Sequence, residues 1–237
     1  MNVKDKVAYI TGGTKGIGYG VAKILLDAGM RVAISGRNLA TAQKAASDLN
    51  VDSSKLLVVQ SDTSIFDDEQ KAVATILGKW GQIDLVVANA GVGHFSPIDE
   101  LAIDDWNEMI NTNLTGVFYT LRASVNALKA SEGYYITMAS LAGTNFFPTA
   151  AGYNASKFGV VGFTQAAMLD LRKYGIKVST IMPGSVATHF NDHAPSEADA
   201  WKIQPEDIGK LVLDLLTMHP RTLPSKVEVR PSRPDKK

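Results

Sequence analysis

Short runs of aliphatic and β-branched residues alternate with longer stretches of helical periodicity along the chain. Consecutive apolar positions mark strands buried on both faces, as in a parallel sheet covered by helices above and below. Such runs at residues 7–11, 31–35, 56–60, 85–88, 134–139, 177–182 and 226–230 predict strands. Helices are expected over residues 17–28, 39–48, 65–79, 103–129, 150–174 and 205–218. Alternation of this kind predicts an α/β fold. With no internal repeat, low-complexity segment or glycine/serine linker, residues 1–237 read as a single domain. One irregular stretch, residues 189–203 with Pro195 inside it, is expected to form a short lid. The tail from Pro231 onward, carrying proline, serine and charge, is expected to fray.

Composition removes several classes of chemistry. Lysine plus arginine equals aspartate plus glutamate, 24 against 24, so no net field draws the chain to nucleic acid or an anionic membrane. Absence of cysteine excludes disulfides, thiolate catalysis and cysteine-ligated metals. Four scattered histidines form no H-E-x-x-H pattern, so no metal is expected. No apolar run approaches ~18 residues, and the chain opens directly into a charged turn and a strand. A cytoplasmic location is the expectation.

Two constellations carry chemistry. The first is Thr11-Gly12-Gly13-Thr14-Lys15-Gly16-Ile17-Gly18, which joins the first strand to the first helix. Glycines there let the backbone approach a pyrophosphate whose charge meets the helix N-terminus. The second strand ends Ser35-Gly36-Arg37-Asn38, where a site for NAD usually offers an acid to the ribose. Lys15 and Arg37 would instead suit a 2′-phosphate, which a guanidinium grips by two hydrogen bonds. Asp62, past the third strand, is placed for the adenine amine, and Asn89-Ala90-Gly91 for the floor beneath the adenosine. The second constellation is Tyr153 and Lys157, four apart and so one turn apart on a helix face, with Ser140 upstream. A cation beside a phenol favours the phenolate and lowers a pKa that is ordinarily near ~10.

These motifs, with Asn113 and Pro183-Gly184, occur in the order and approximate spacing of the short-chain dehydrogenase/reductase family, which the chain resembles from Lys6 to about Met218. The resemblance implies a Rossmann-type doubly wound, seven-stranded parallel sheet, an NAD(P) cofactor, which Lys15 and Arg37 narrow to NADP(H), and hydride transfer between cofactor and a carbonyl or alcohol. It implies that Ser140 polarises the carbonyl, that Tyr153 delivers the proton, and that Lys157 holds the nicotinamide ribose and depresses the tyrosine's pKa. Asn113 would interrupt its helix so that water links Lys157 to solvent. Ile181, Met182, Pro183, Gly184 and Val186 would shape the nicotinamide pocket, and Thr188 would bond the carboxamide. Departures from the family pattern are Ala88 and Thr137, where asparagine is frequent, and a C-terminus without a Gly-Gly segment.

The substrate is expected over Ser140 and Tyr153, bounded by Val92-Gly93-His94-Phe95, by Thr144-Asn145-Phe146-Phe147 and by the lid with His189, Phe190 and Trp201. Within the class, a small-carbonyl reductase, a 3-oxoacyl carrier-protein reductase and a pterin reductase stand open, and a non-catalytic NADP-binding sensor is the alternative outside it. By family analogy the fourth and fifth helices would pair across a two-fold axis in a homodimer or homotetramer. Small residues at Ala150-Ala151-Gly152 and Ala155-Ser156 would permit that approach. The acids Asp67-Asp68-Glu69 read as helix-start charges rather than a metal site.

Overall fold

The computed structural model describes residues 2–233. Seven strands, β1 (Val7–Ile10), β2 (Arg31–Gly36), β3 (Leu56–Gln60), β4 (Leu85–Ala88), β5 (Tyr134–Met138), β6 (Lys177–Pro183) and β7 (Lys226–Val229), form one sheet in the order β3-β2-β1-β4-β5-β6-β7. Every pairing is parallel. Helices α1 (Gly16–Asp27), α2 (Leu39–Leu49), α3 (Phe66–Trp80), α4 (Ile103–Ile110), α5 (Gly116–Ser131), α6 (Ala151–Leu171) and α7 (Pro205–Thr217) cross between them. None of the helices among the described residues is long and apolar enough to cross a membrane.

The apolar runs are strands because both of their faces are covered. Side chains alternate across a strand, and here the two sets enter two cores. Ala8, Ile10, Val32 and Ile34 pack with Val21 and Leu25 of α1 and Ile208 and Val212 of α7. Val7, Tyr9, Ala33 and Val86 pack with Val73 and Ile76 of α3, Leu128 of α5 and Val160 of α6. Helices α1 and α7 touch closely at Gly20 and Gly209, where a Cβ would strike the Pro205 backbone and the Gly20 carbonyl respectively.

Two expectations change. The helix anticipated over 103–129 is divided in two by a π-helical turn, Asn111–Thr115, at the place where Asn113 was expected to interrupt it. Its wider geometry turns Asn113 fully inward, where Oδ1 accepts from Val92 N at 2.8 Å and Nδ2 donates to Val92 O at 2.9 Å. The tail also differs: Pro231 packs on Gly184 with Ser232 and Arg233 exposed beyond it, while residues 234–237 of the expected frayed segment lie outside the described residues.

Strand order reverses between β1 and β4, so their carboxyl ends open a crevice, the place where ligands bind in sheets of this kind. The two loops leaving it are stitched together. Thr11 Oγ1 accepts from Asn89 N (3.0 Å) and Ala90 N (3.1 Å), and Asn89 Nδ2 donates to the carbonyls of Thr11 (2.9 Å) and Gly12 (3.1 Å).

Candidate active site

A cleft of about 490 Å³ follows this crevice along the carboxyl ends of the strands. At one end it is floored by Gly12, Thr14, Lys15, Gly16, Ile17, Asn89, Ala90 and Gly91. Gly12 (φ +63°) and Gly16 (φ +56°) occupy the left-handed region, and a Cβ on Gly12 would lie 2.9 Å from Ala90 Cα. Helix α1 starts without a side-chain cap and without an acid in its first turn. Its leading N–H groups and positive pole therefore remain for an anion. Lys15 lines the cleft and has no ion-pair partner among the described residues. These are the features a pyrophosphate needs, so a dinucleotide fits here.

Arg37 also lines the cleft, but Glu108 of α4 holds its Nη1 at 3.1 Å. The other oxygen of Glu108 lies 2.8 Å from His94 Nε2, and Asp105 lies 3.7 Å from His94 Nδ1. His94 and then Arg37 hold the Glu108 carboxyl below its usual range. His94, expected in the substrate pocket, is thereby tied to α4 and does not line the cleft. Asn38 does not line it either, because its side chain caps α2 by accepting from Thr41 N at 3.0 Å. Gly18 lies behind the loop, where a Cβ would collide with the Asn89 side chain and the Gly12 carbonyl. Asp62 does line the cleft, with Oδ1 engaged by Ser64 N (2.9 Å) and Ser64 Oγ (2.7 Å).

The opposite end carries Ser140, Tyr153 and Lys157. Ser140 directly follows β5 and its Oγ accepts from Ala142 N at 3.1 Å, which fixes the hydroxyl at the strand end. Tyr153 and Lys157 project from the first turns of α6. Lys157 Nζ donates to Met138 O at 2.9 Å and stands 5.7 Å from the centre of the tyrosine ring. The expected depression of the tyrosine does not dominate this geometry. Burial pushes Tyr153 up to about 12 against the opposing effect of the Ser140 hydroxyl, and burial brings Lys157 down to about 8. Asn113 stands behind the lysine rather than in the cleft, with Nδ2 also donating to Ser156 Oγ at 3.0 Å. A Cβ on Gly91 would meet both Asn113 Oδ1 (3.2 Å) and Lys157 Nζ (3.6 Å), so the glycine keeps that space open.

Aromatic rings gather around Tyr153. Phe95 lies 5.4 Å from it and Phe190 5.6 Å, with Phe147 stacked behind Phe95 at 6.1 Å. Phe146, expected to share this wall, is 84% exposed and faces solvent. His189, Phe190, Pro183, Gly184, Val186 and Thr188 line the cleft, whereas Ile181 and Met182 are buried in the sheet. The lid holds two single 3₁₀ turns, Phe190–Asp192 and Glu197–Asp199. Its neck is closed where Ala187 N donates to Ile203 O (2.9 Å) and Ile203 N to Ser185 O (3.1 Å). Inside it, Asp199 receives Lys202, Ser196 N and His193 Nε2, which hold its carboxyl well below the usual range. Residues that the motifs did not single out also line the cleft, among them Thr112, Ser185, His193 and Lys202.

Known proteins match this architecture closely. The family model described as short chain dehydrogenase matches residues 6–199. An uncharacterized oxidoreductase of Staphylococcus aureus (strain USA300) is 34% identical over 228 residues, covering 96% of this chain and 97% of its own. An alcohol dehydrogenase from the archaeon Thermococcus sibiricus, solved with 5-hydroxy-NADP, superposes with a TM-score of 0.90 at 27% identity over 98% of this chain and 100% of its own. A 3-ketoacyl-(acyl-carrier-protein) reductase from Brucella melitensis, solved with NADH, gives 0.87 at 26% identity over 98% and 99%. A match of this extent in sequence and in fold makes the chain an oxidoreductase of the short-chain dehydrogenase/reductase family.

Proposed function

We propose that this protein is an NADPH-dependent reductase that converts a small carbonyl compound to its alcohol. The observation that carries the reading is one cleft with Ser140, Tyr153 and Lys157 at one end and Lys15 and Arg37 at the other. The Thermococcus and Brucella neighbours, solved with 5-hydroxy-NADP and NADH, support a nicotinamide cofactor. Lys15 and Arg37, with no acid lining the cleft at the end of β2, favour the 2′-phosphate form. The glycine loop would hold the pyrophosphate, Asp62 and Asn89–Gly91 the adenosine, and Pro183, Gly184, Val186 and Thr188 the nicotinamide. When bound, the reduced cofactor supplies hydride to the carbonyl carbon.

The chain's own groups handle the proton. A phenol at about 12 is fully protonated at neutrality, so Tyr153 is ready to donate to the carbonyl oxygen. Ser140 Oγ donates a hydrogen bond to the same oxygen and orients it. Lys157, at about 8, still carries charge at pH 7 and stabilises the phenolate left behind. Asn113 positions the loop around Val92 beside this group. Phe95, Phe147 and Phe190 exclude water from it. A panel of ketones and aldehydes should drive NADPH oxidation, and Tyr153→Phe should lower kcat by about 10²–10⁴-fold while the NADPH Kd holds. Tight NADPH binding with no turnover across the panel would reject the reading in favour of a cofactor sensor.

Lys129 and Lys173 both stack over Tyr174, where α5 ends and β5 begins. Neither lines the cleft, so this cluster lends no support to a carrier-bound acyl chain over a small carbonyl.

Self-association is the second part of the proposal. Ala151, Ala155, Phe158, Gly162 and Leu169 recur on the outward face of α6, beside exposed Phe118 of α5. Such a stripe fits a two-fold contact in a homodimer or homotetramer. Ala150, Gly152 and Ser156, expected to share in it, are buried within their own chain, Gly152 against Met109 and Trp106. A monomer in light scattering would reject this.

A further inference from the structure

The C-terminal segment does more than finish the sheet. Val229 pairs with Pro183, and Gly184 N donates to Val229 O at 2.7 Å. Pro231 then packs on Gly184, 3.4 Å from where a Cβ would stand. The segment beyond β7 is thereby laid against the loop that borders the reactive end, and it walls a second hollow of about 600 Å³. Ser140, Gly184 and Ser185 line both this hollow and the cleft, so the two spaces meet at the serine.

The hollow's chemistry is lopsided. Phe147 forms one wall and Trp201, from the lid, another. Arg230 and Arg233 line it, and no aspartate or glutamate among the described residues does. Arg233 has no ion-pair partner among the described residues, and Arg230 is held only by exposed Glu228 at 3.2 Å. A neutral substrate would use neither guanidinium. A carboxylate matches the guanidinium fork in shape and charge.

We propose that the substrate is a carbonyl compound with an anionic end, a carboxylate on a short apolar or aromatic body, and that Arg230 and Arg233 receive that end while the carbonyl lies at Ser140. The inference rests on the reductase reading and deepens it. Because both arginines are exposed, they act on affinity, so selectivity appears in KM rather than in kcat.

Matched pairs test it: 4-formylbenzoate, 4-oxopentanoate and 3-oxobutanoate, each against its methyl ester. The wild type should prefer the acids, and R230Q/R233Q should lose about tenfold in kcat/KM on them through KM, with the esters within about twofold. Glu228→Gln, which frees Arg230, should lower KM for the acids. Calorimetric titration with 4-(hydroxymethyl)benzoate should show weaker binding to the double variant by the same factor, independently of turnover. If esters are reduced as well as acids and the double variant changes neither or both alike, the inference is overturned and the reductase reading stands. If the wild type reduces none of the six, and no carbonyl of the wider panel, the reductase reading fails and this inference with it.

Discussion

The two ends of the cleft are built from different materials. The adenosine end is mostly backbone: glycines of positive φ, the uncapped start of α1, and two loops bound to each other through Thr11 and Asn89. The carbonyl end is mostly side chains delivered by segments far apart in sequence, from Phe95 through Phe147 and Phe190 to Arg230. A ligand held by backbone geometry tolerates change in the surrounding side chains. One held by side chains is redefined by each substitution. The first end thus suits a cofactor common to many relatives, and the second suits a substrate peculiar to one.

Cations are where this contrast is most easily broken. Replacing Lys15 and Arg37 together by alanine should weaken NADPH by about a hundredfold and NADH by no more than about threefold, measured as Kd by fluorescence titration. An equal loss for both cofactors would mean that the cations serve the pyrophosphate and not the 2′-phosphate.

Lys157 tests the other end. Burial holds it at about 8 instead of an ordinary lysine's 10.5, so the folded chain binds fewer protons than the unfolded chain between those values. Stability from this group is present above 10.5 and lost as pH falls through about 8. At pH 7 the buried charge therefore opposes folding. Lys157→Met should stabilise the fold by roughly 1–3 kcal/mol at pH 7 while abolishing turnover, after allowing for the lost bond to Met138. The advantage should shrink between pH 8 and 10.5 in urea unfolding.

Glu108 holds Arg37 at one end of the cleft and, through His94, the loop that carries Phe95 beside Tyr153. Since it competes with a phosphate for Arg37, Glu108→Gln should tighten NADPH by about threefold. A simultaneous change in carbonyl KM would show that the ends communicate through α4. The smallest effect is expected at Phe146, whose exposed ring touches neither end. Phe146→Ala should leave kcat/KM within about twofold.

What could be read from sequence followed the same division. Strands, the glycine loop and the Tyr153–Lys157 pair are local patterns, each explained by residues a few positions away. Features set by distant partners were not readable. The resemblance implied an interruption at Asn113, but its π-helical form rests on Asn113 meeting Val92 and Ser156, and the engagement of Arg37 depends on Glu108. The side-chain oxygen of Asn38 can serve a cofactor or a helix cap, and only the fold shows that it serves the cap. Of the three acids opening α3, Asp67 is exposed, while Glu69 is fully buried and bonded to Tyr9 (3.0 Å) and Ser61 (2.7 Å). Two positions along a helix turn a side chain by about 200°, which separates a solvated charge from a buried one. Spacing reports the charge beside Tyr153 and is silent on the depth of its burial, which raises its pKa.

The lid leaves the body beside Ser185 and re-enters it at Ile203, with Val186 and Ile203 forming an isolated parallel bridge. Entry and exit share one gate, so everything between them is a cassette. A stretch of different length leaves the strands in place, while a change at Phe190 alters the ring packed on Tyr153. For an engineer this makes the paired neck, Ser185 to Ala187 against Ile203, the natural splice site.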